Sequence, residues 1–140
     1  MIEGSCHCGA VRFTIETAPE WLLDCNCSIC RRDGGLWAYY PQRDVKFEGK
    51  PDTLTYVWGD KALERHHCRT CLCLTHATVI GTDAAEKIGV NARLMQGLDP
   101  AKVRVVQKNN GNDGVFWTKS DQPMLPTHDL PHQDLHGARQ

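Results

Sequence analysis

Cys6-His7-Cys8-Gly9-Ala10-Val11-Arg12-Phe13-Thr14-Ile15-Glu16 decides the fold, because it sets two signals end to end. Val11, Phe13 and Ile15 alternate with Arg12, Thr14 and Glu16, the period of two that suits a half-buried strand. Immediately before that strand, Cys6-x-Cys8 offers two sulfurs at metal-ligand spacing. Strand patterns recur outward along the chain. An apolar, aromatic-rich run over 36–40 is closed by Pro41, and Val45 and Phe47 alternate with Lys46 and Glu48 before the turn Gly49-Lys50-Pro51-Asp52. Leu54, Tyr56 and Trp58 alternate with Thr55 and Val57 up to Gly59-Asp60. Over 83–95 a helical turn around Ala84 to Lys87 gives way to a strand in which Ile88, Val90, Ala92 and Leu94 alternate with Gly89, Asn91, Arg93 and Met95. Val103 and Val105 make one more short strand after Asp99-Pro100. The expected architecture is mainly β and mostly antiparallel over 1–108. A loop and a polar, proline-punctuated tail follow over 109–140.

A chain of 140 residues can build one globular core without covalent staples. Lys plus Arg is 16 and Asp plus Glu is 17, so the formal charge is −1, without the basic excess of a nucleic-acid binder. No apolar run approaches the roughly 18 residues of a membrane span. The opening residues show neither a basic n-region nor an apolar h-region, which gives a cytoplasmic location as the expectation. In a reducing compartment thiols bind metal or do chemistry more often than they pair.

Seven of the eight cysteines fall into three clusters: Cys6-x-Cys8, Cys25-x-Cys27-x-x-Cys30 and Cys68-x-x-Cys71. Sites built from four thiolates combine two such short segments, so Cys6 and Cys8 with Cys68 and Cys71 make a closed, structural zinc site. That site would tie the first strand to the middle of the chain. Cys25, Cys27 and Cys30 can hold a second zinc with a fourth position open, the mark of a catalytic site. Two structural zincs are the alternative, with His67, His76 or Cys73 as the fourth ligand of the second. Disulfides, thiol-rich metal storage and a redox C-x-x-C are the remaining readings. His128, His132 and His136 recur every four residues, but Pro131 interrupts them in a polar segment that reads as solvated tail.

Gly4-Ser5-Cys6-His7-Cys8-Gly9-Ala10-Val11-Arg12-Phe13, Asp24-Cys25-Asn26-Cys27-Ser28-Ile29-Cys30-Arg31-Arg32 and Cys68-Arg69-Thr70-Cys71 together resemble the glutathione-dependent formaldehyde-activating enzyme family, whose domain centromere protein V also carries. The resemblance covers roughly the first 105 residues and implies a small, coiled antiparallel β fold similar to Mss4. It implies a structural zinc on Cys6, Cys8, Cys68 and Cys71 and a second zinc on Cys25, Cys27 and Cys30. Leu72 stands where the family commonly has glycine after the last C-x-x-C, and Cys73 and His76 follow it.

The activity implied is that of a zinc-dependent carbon–sulfur lyase. Its substrate would be a glutathione or other thiol adduct of formaldehyde or a small aldehyde, with glutathione as co-substrate. Glutathione carries two carboxylates, for which Arg31, Arg32 and Arg93 are candidate cations, with Asn91 beside Arg93 on one strand face. The competing class is a zinc-stabilised, non-catalytic module that binds a protein partner. What occupies the fourth position of the second metal separates the two. With two zincs and seven thiolates the formal −1 becomes about −4, which strengthens the exclusion of nucleic acid.

Overall fold

A computed structural model describes residues 1–27, 29–57, 61–81 and 87–108. It is built from two sheets. The smaller joins β1 (Ile2–Ser5), β2 (Arg12–Ile15) and β5 (Val45–Phe47) in the antiparallel order β1-β2-β5. The larger has seven strands. In chain order they are β3 (Trp21–Cys25), β4 (Trp37–Pro41), β6 (Thr53–Val57), β7 (Leu63–Cys68), β8 (Leu74–Val79), β9 (Lys87–Asn91) and β10 (Arg104–Lys108). Across the sheet the order is β10-β3-β4-β9-β8-β7-β6. One helical turn, α1 (Cys30–Asp33), leads from β3 toward β4. Among the described residues no helix is long and apolar enough to cross a membrane.

Alternation along the strands gives the large sheet two different faces. Leu22, Ala38, Tyr40, Ile88 and Val90 face the small sheet and pack with Phe13, Ile15 and Val45 into the main core. Leu23, Trp37, Leu74, Ala77 and Val106 form a second cluster that also contains Cys25, Cys27 and Cys30. Adjacent residues such as Leu22 and Leu23 therefore serve different cores. A third cluster, Cys6, Val11 and Cys68, lies where the small sheet meets the β7–β8 turn.

Gly4 makes the small sheet possible. It pairs with Phe13 across β1 and β2, and a Cβ there would stand 2.2–2.8 Å from three atoms of the Phe13 ring. The ring lies across the β1 backbone where a side chain would otherwise stand, and β1 runs straight on to Cys6.

The structure corrects several expectations. The strand pairing is mostly antiparallel, as expected, but β10 runs parallel to β3, where no parallel pair was anticipated. Its inward residue is Val106, while Val105 is exposed; the pairing with Trp21 to Cys25 sets a phase that the two valines at 103 and 105 could not reveal. The strand expected through Met95 stops at Asn91, whose side chain accepts the Arg93 N–H and starts a 3₁₀ turn over Ala92–Leu94. β6 is an edge strand with Leu54, Thr55, Tyr56 and Val57 all exposed, because nothing described covers either of its faces. β1, β3, β7 and β8 had no clear alternation: β3 is buried on both faces, and β7 alternates polar groups that are used on both sides. The helical turn expected around 84–86, the end of the strand at 58–60 and the tail histidines lie outside the described residues.

Candidate functional site

The first thiol group is assembled from two distant turns. In one turn the Cys6 N–H donates to Val11 O and the Gly9 N–H to Cys6 O, and in the other the Leu72 N–H donates to Cys68 O. The sulfurs of Cys6 and Cys8 are 3.6 Å apart, and those of Cys8 and Cys68 are 3.7 Å apart. A tetrahedral zinc with Zn–S near 2.3 Å has an edge of about 3.8 Å, so the spacing fits the ion. All four ligand atoms of Cys6, Cys8, Cys68 and Cys71 lie within 4.8 Å of one another. The separations are far beyond a disulfide bond of about 2.05 Å, and all eight cysteines are free thiols. Backbone N–H groups of Cys8 and Cys73 aimed at the Cys71 sulfur hold its pKa down at about 5, which favours the thiolate a metal needs. Leu72 takes the left-handed conformation, φ +63°, that glycine adopts freely, and its side chain points into solvent.

The second thiol group is buried. Cys25 ends β3, Cys27 lies in the following turn, and Cys30 opens α1; their relative exposures are 7%, 4% and 3%. The turn is drawn tight by Arg31 N–H to Cys27 O at 3.1 Å, and Gly34 in the left-handed region ends it with an N–H to Cys30 O at 2.8 Å. The three sulfurs lie within 4.8 Å of one another, and among the described residues no fourth Cys, His, Asp or Glu joins them. A three-thiolate set of this kind suits zinc with one position left for another ligand.

The thiols are not equivalent. Hydrogen bonds from Cys25 and Cys27, helped by Arg65 and the Trp37 ring N–H, bring the Cys30 pKa down to about 2 against the cost of burial. The Cys25 thiol moves the other way, because its proton is shared with Cys27 and Cys30 and burial opposes a second charge.

Arg65 was invisible to sequence reasoning. It lies on β7, is 5% exposed, and donates from Nη2 to Cys30 Sγ at 3.0 Å across 35 residues of chain. Trp37 Nε1 donates to the same sulfur at 3.4 Å, and the guanidinium carbon stands 5.2 Å from the centre of a Trp37 ring. Asp33 Oδ2 is 3.9 Å from Arg65 Nη1, and Asp33 Oδ1 is 3.7 Å from His67 Nε2. The sequence of β7 gives no hydrophobic alternation to mark its faces; in the folded strand Arg65 and His67 turn to the Cys30 side, and His66 and Cys68 turn to the other. Of the three aromatics on β4, Trp37 touches the thiols, Tyr39 is half exposed on the same face, and Tyr40 belongs to the opposite core.

The other sequence candidates divide. Arg31 and Arg32 are exposed on α1 beside Cys30. Arg93 is brought to the same place from far along the chain, with Nε donating to Gly34 O at 2.7 Å. Asn91 is buried and committed to backbone: Oδ1 accepts from Leu36 N and Arg93 N, and Nδ2 donates to Leu74 O. It fastens β9 to β8 and to the start of β4. Cys73 packs beside Cys6 and Cys68, away from the second group.

His76 also stands apart from the second group. The β7–β8 pairing skips Thr75, whose hydroxyl donates to His66 O at 3.0 Å. This irregularity puts Leu74 and Ala77 together in the Cys30 cluster and turns His76 to the other face. There its ring stacks on His66 at 4.1 Å and lies tilted against Phe47 at 4.7 Å. Burial, with the neighbouring His66, pushes its pKa down to about 3. The unfolded chain therefore binds a proton here below about pH 6.5 that the folded chain refuses, so this residue costs stability as pH falls from there toward 3. In an NMR titration the His76 ring signals should stay flat from pH 8 to pH 5; a midpoint near 6.5 would contradict its buried, neutral state.

The family profile for the glutathione-dependent formaldehyde-activating enzyme matches residues 1–109. A Halomonas elongata protein named "Putative glutathione-dependent formaldehyde-activating enzyme" is 33% identical over 85 residues, covering 51% of this chain and 52% of that protein. The chain thus matches about half the length of that curated relative. A crystal structure of a Rhodobacter sphaeroides protein superposes with a TM-score of 0.59 at 30% identity, covering 74% of this chain and 98% of the other.

Proposed function

The chain belongs to the glutathione-dependent formaldehyde-activating enzyme family, and from that premise we propose that it is a zinc-dependent enzyme of carbon–sulfur lyase type. Its substrate would be a glutathione, or other thiol, adduct of formaldehyde or a small aldehyde. The observation that carries this reading is the buried group Cys25, Cys27 and Cys30, which among the described residues has no fourth protein ligand. None of His67, His76 and Cys73, the three candidates for a fourth ligand, joins the group: His67 faces Asp33, His76 lies on the other face of the sheet, and Cys73 packs beside Cys6 and Cys68. The competing reading, a binding module with two closed metals, needs a fourth ligand that the described residues do not supply.

In the synthetic direction the thiolate sulfur attacks the aldehyde carbon, the carbonyl π bond breaks, and the new alkoxide takes up a proton to give R–S–CH₂OH. A zinc ion bound by the three thiolates would supply a Lewis-acid position at which the incoming thiol ionises near neutral pH. The chain's own groups do the rest. Burial of the three sulfurs keeps bulk water off the reacting centre. Arg31 and Arg32 on α1, and Arg93, whose Nε donates to Gly34 O at the end of that turn, would offer cations to the carboxylates of a glutathione-like substrate. Asn91 supports that corner by holding the backbone from which Arg93 projects. Two zincs per chain and a reducing, cytoplasmic setting, where cysteines are kept as thiols, complete the proposal.

Cys27→Ser tests it. Wild type should hold about two zincs and bind glutathione in calorimetry; the variant should stay folded, hold about one zinc and lose glutathione binding. An unfolded variant would make the second site structural. Wild type that ignores glutathione yet binds another thiol would remove glutathione and keep the reaction class.

A further inference from the structure

The two thiol groups differ in how their charge is compensated. In the first, Cys8 is exposed and Cys71 half-buried, and Cys6 Sγ accepts the Val11 N–H at 3.3 Å, so water and backbone dipoles screen the thiolates. In the second all three sulfurs are buried. Three thiolates around one dication leave a net −1 in a region of low dielectric, and a fourth thiolate would raise it to −2. A neutral donor would be favoured at the fourth position unless a cation stood close by.

Arg65 is that cation. Its Nη2 lies 3.0 Å from Cys30 Sγ, and it is buried with the cluster. Its carboxylate neighbour, Asp33, is loosely held: the ion pair spans 3.9 Å, and neither Arg65 Nη1 nor Asp33 Oδ2 has a hydrogen-bond partner. The other Asp33 oxygen faces His67. A buried guanidinium this poorly paired with carboxylate directs its charge at sulfur. We propose that Arg65 is a positioning residue that compensates the charge of the Cys25–Cys27–Cys30 centre, so that its fourth ligand is an anionic thiolate and not a neutral donor. The inference rests on the open centre proposed above and adds the reason that such a centre selects thiols.

The test uses the full chain loaded with cobalt(II), whose absorption reports ligand exchange. It is titrated with 2-mercaptoethanol, a thiol without carboxylates, and with imidazole, a neutral donor. Arg65→Met should weaken thiol binding by about tenfold or more and change imidazole binding less than about twofold. Arg65→Lys, which keeps the charge, should restore most of the preference for thiol. Equal loss of both ligands in Arg65→Met would make Arg65 a purely structural support and overturn the inference. So would a Lys variant that holds its metal yet has lost the preference, which also covers the case in which Arg65→Met fails to fold. Wild type that binds neither ligand would overturn the open-centre reading, and this inference with it.

Discussion

Cys68→Ser should abolish the fold, where Cys73→Ser leaves it intact. Cys68 is fully buried at the end of β7, and its sulfur lies 3.7 Å from that of Cys8, sixty residues earlier. Structural zinc in small domains supplies about 10–16 kcal/mol of apparent binding energy, comparable with the whole stability of a domain at about 5–15 kcal/mol. Loss of one thiolate from a four-thiolate site therefore removes more than the chain can spare. Cys6, Val11 and Cys68 also pack together, so the small sheet loses its attachment to the β7–β8 turn at the same time. The expected result is a circular dichroism spectrum without a cooperative thermal transition, with zinc content well below wild type. A Cys68→Ser chain that melts within a few degrees of wild type would show that the first site is not what holds the sheets together.

The second large effect comes from a single methyl group. Gly4→Ala places a Cβ inside the Phe13 ring, whose atoms are 2.2–2.8 Å from that position. Phe13 is buried in the main core, with Phe47 against it at 6.0 Å, and has no free space to retreat into. Overpacking of this kind costs about 3 kcal/mol, a fall of roughly 8 °C in melting temperature for a domain of this size. Phe13→Leu should relieve the clash, so the double variant Gly4→Ala/Phe13→Leu should be more stable than the two single losses added together. Simple additivity of the pair would mean that the contact between the two residues is not the cause.

Both effects concern residues of very different legibility. The cysteines could be read because metal ligands come in short local pairs, C-x-C and C-x-x-C, whose geometry is nearly independent of the rest of the fold. β2 and β5 were readable because each has one face in a core and one toward solvent, and β4 because its apolar, aromatic run closed by Pro41 supplies a core on each face. β7 was not: Leu63-Glu64-Arg65-His66-His67-Cys68 reads as polar, yet it is a central strand. Its polar groups find partners on both sides, His66 with Thr53 and Thr78, and Arg65 through Nη2 with Cys30. Gly4 was quoted as part of a motif, but only the ring lying against it explains why a side chain is excluded there.

What the sequence determined by itself is the thiol clusters at metal-ligand spacing and the class of fold. Three cysteine clusters, a near-neutral charge and period-two alternation are local properties, set by residue type and spacing, and they survive without knowledge of long-range contacts. What only the tertiary structure decided is how the second thiol group is finished. His76 lies four residues from Leu72 and close in sequence to Cys71, but a skipped residue in the β7–β8 pairing turns it to the opposite face. Arg65 and Arg93 reach α1 from 35 and 59 residues away, because neighbouring strands bring them there. Register and side of a sheet are set by pairing between distant segments, and a shift of one residue exchanges the two faces. Composition and local spacing carry no record of that choice.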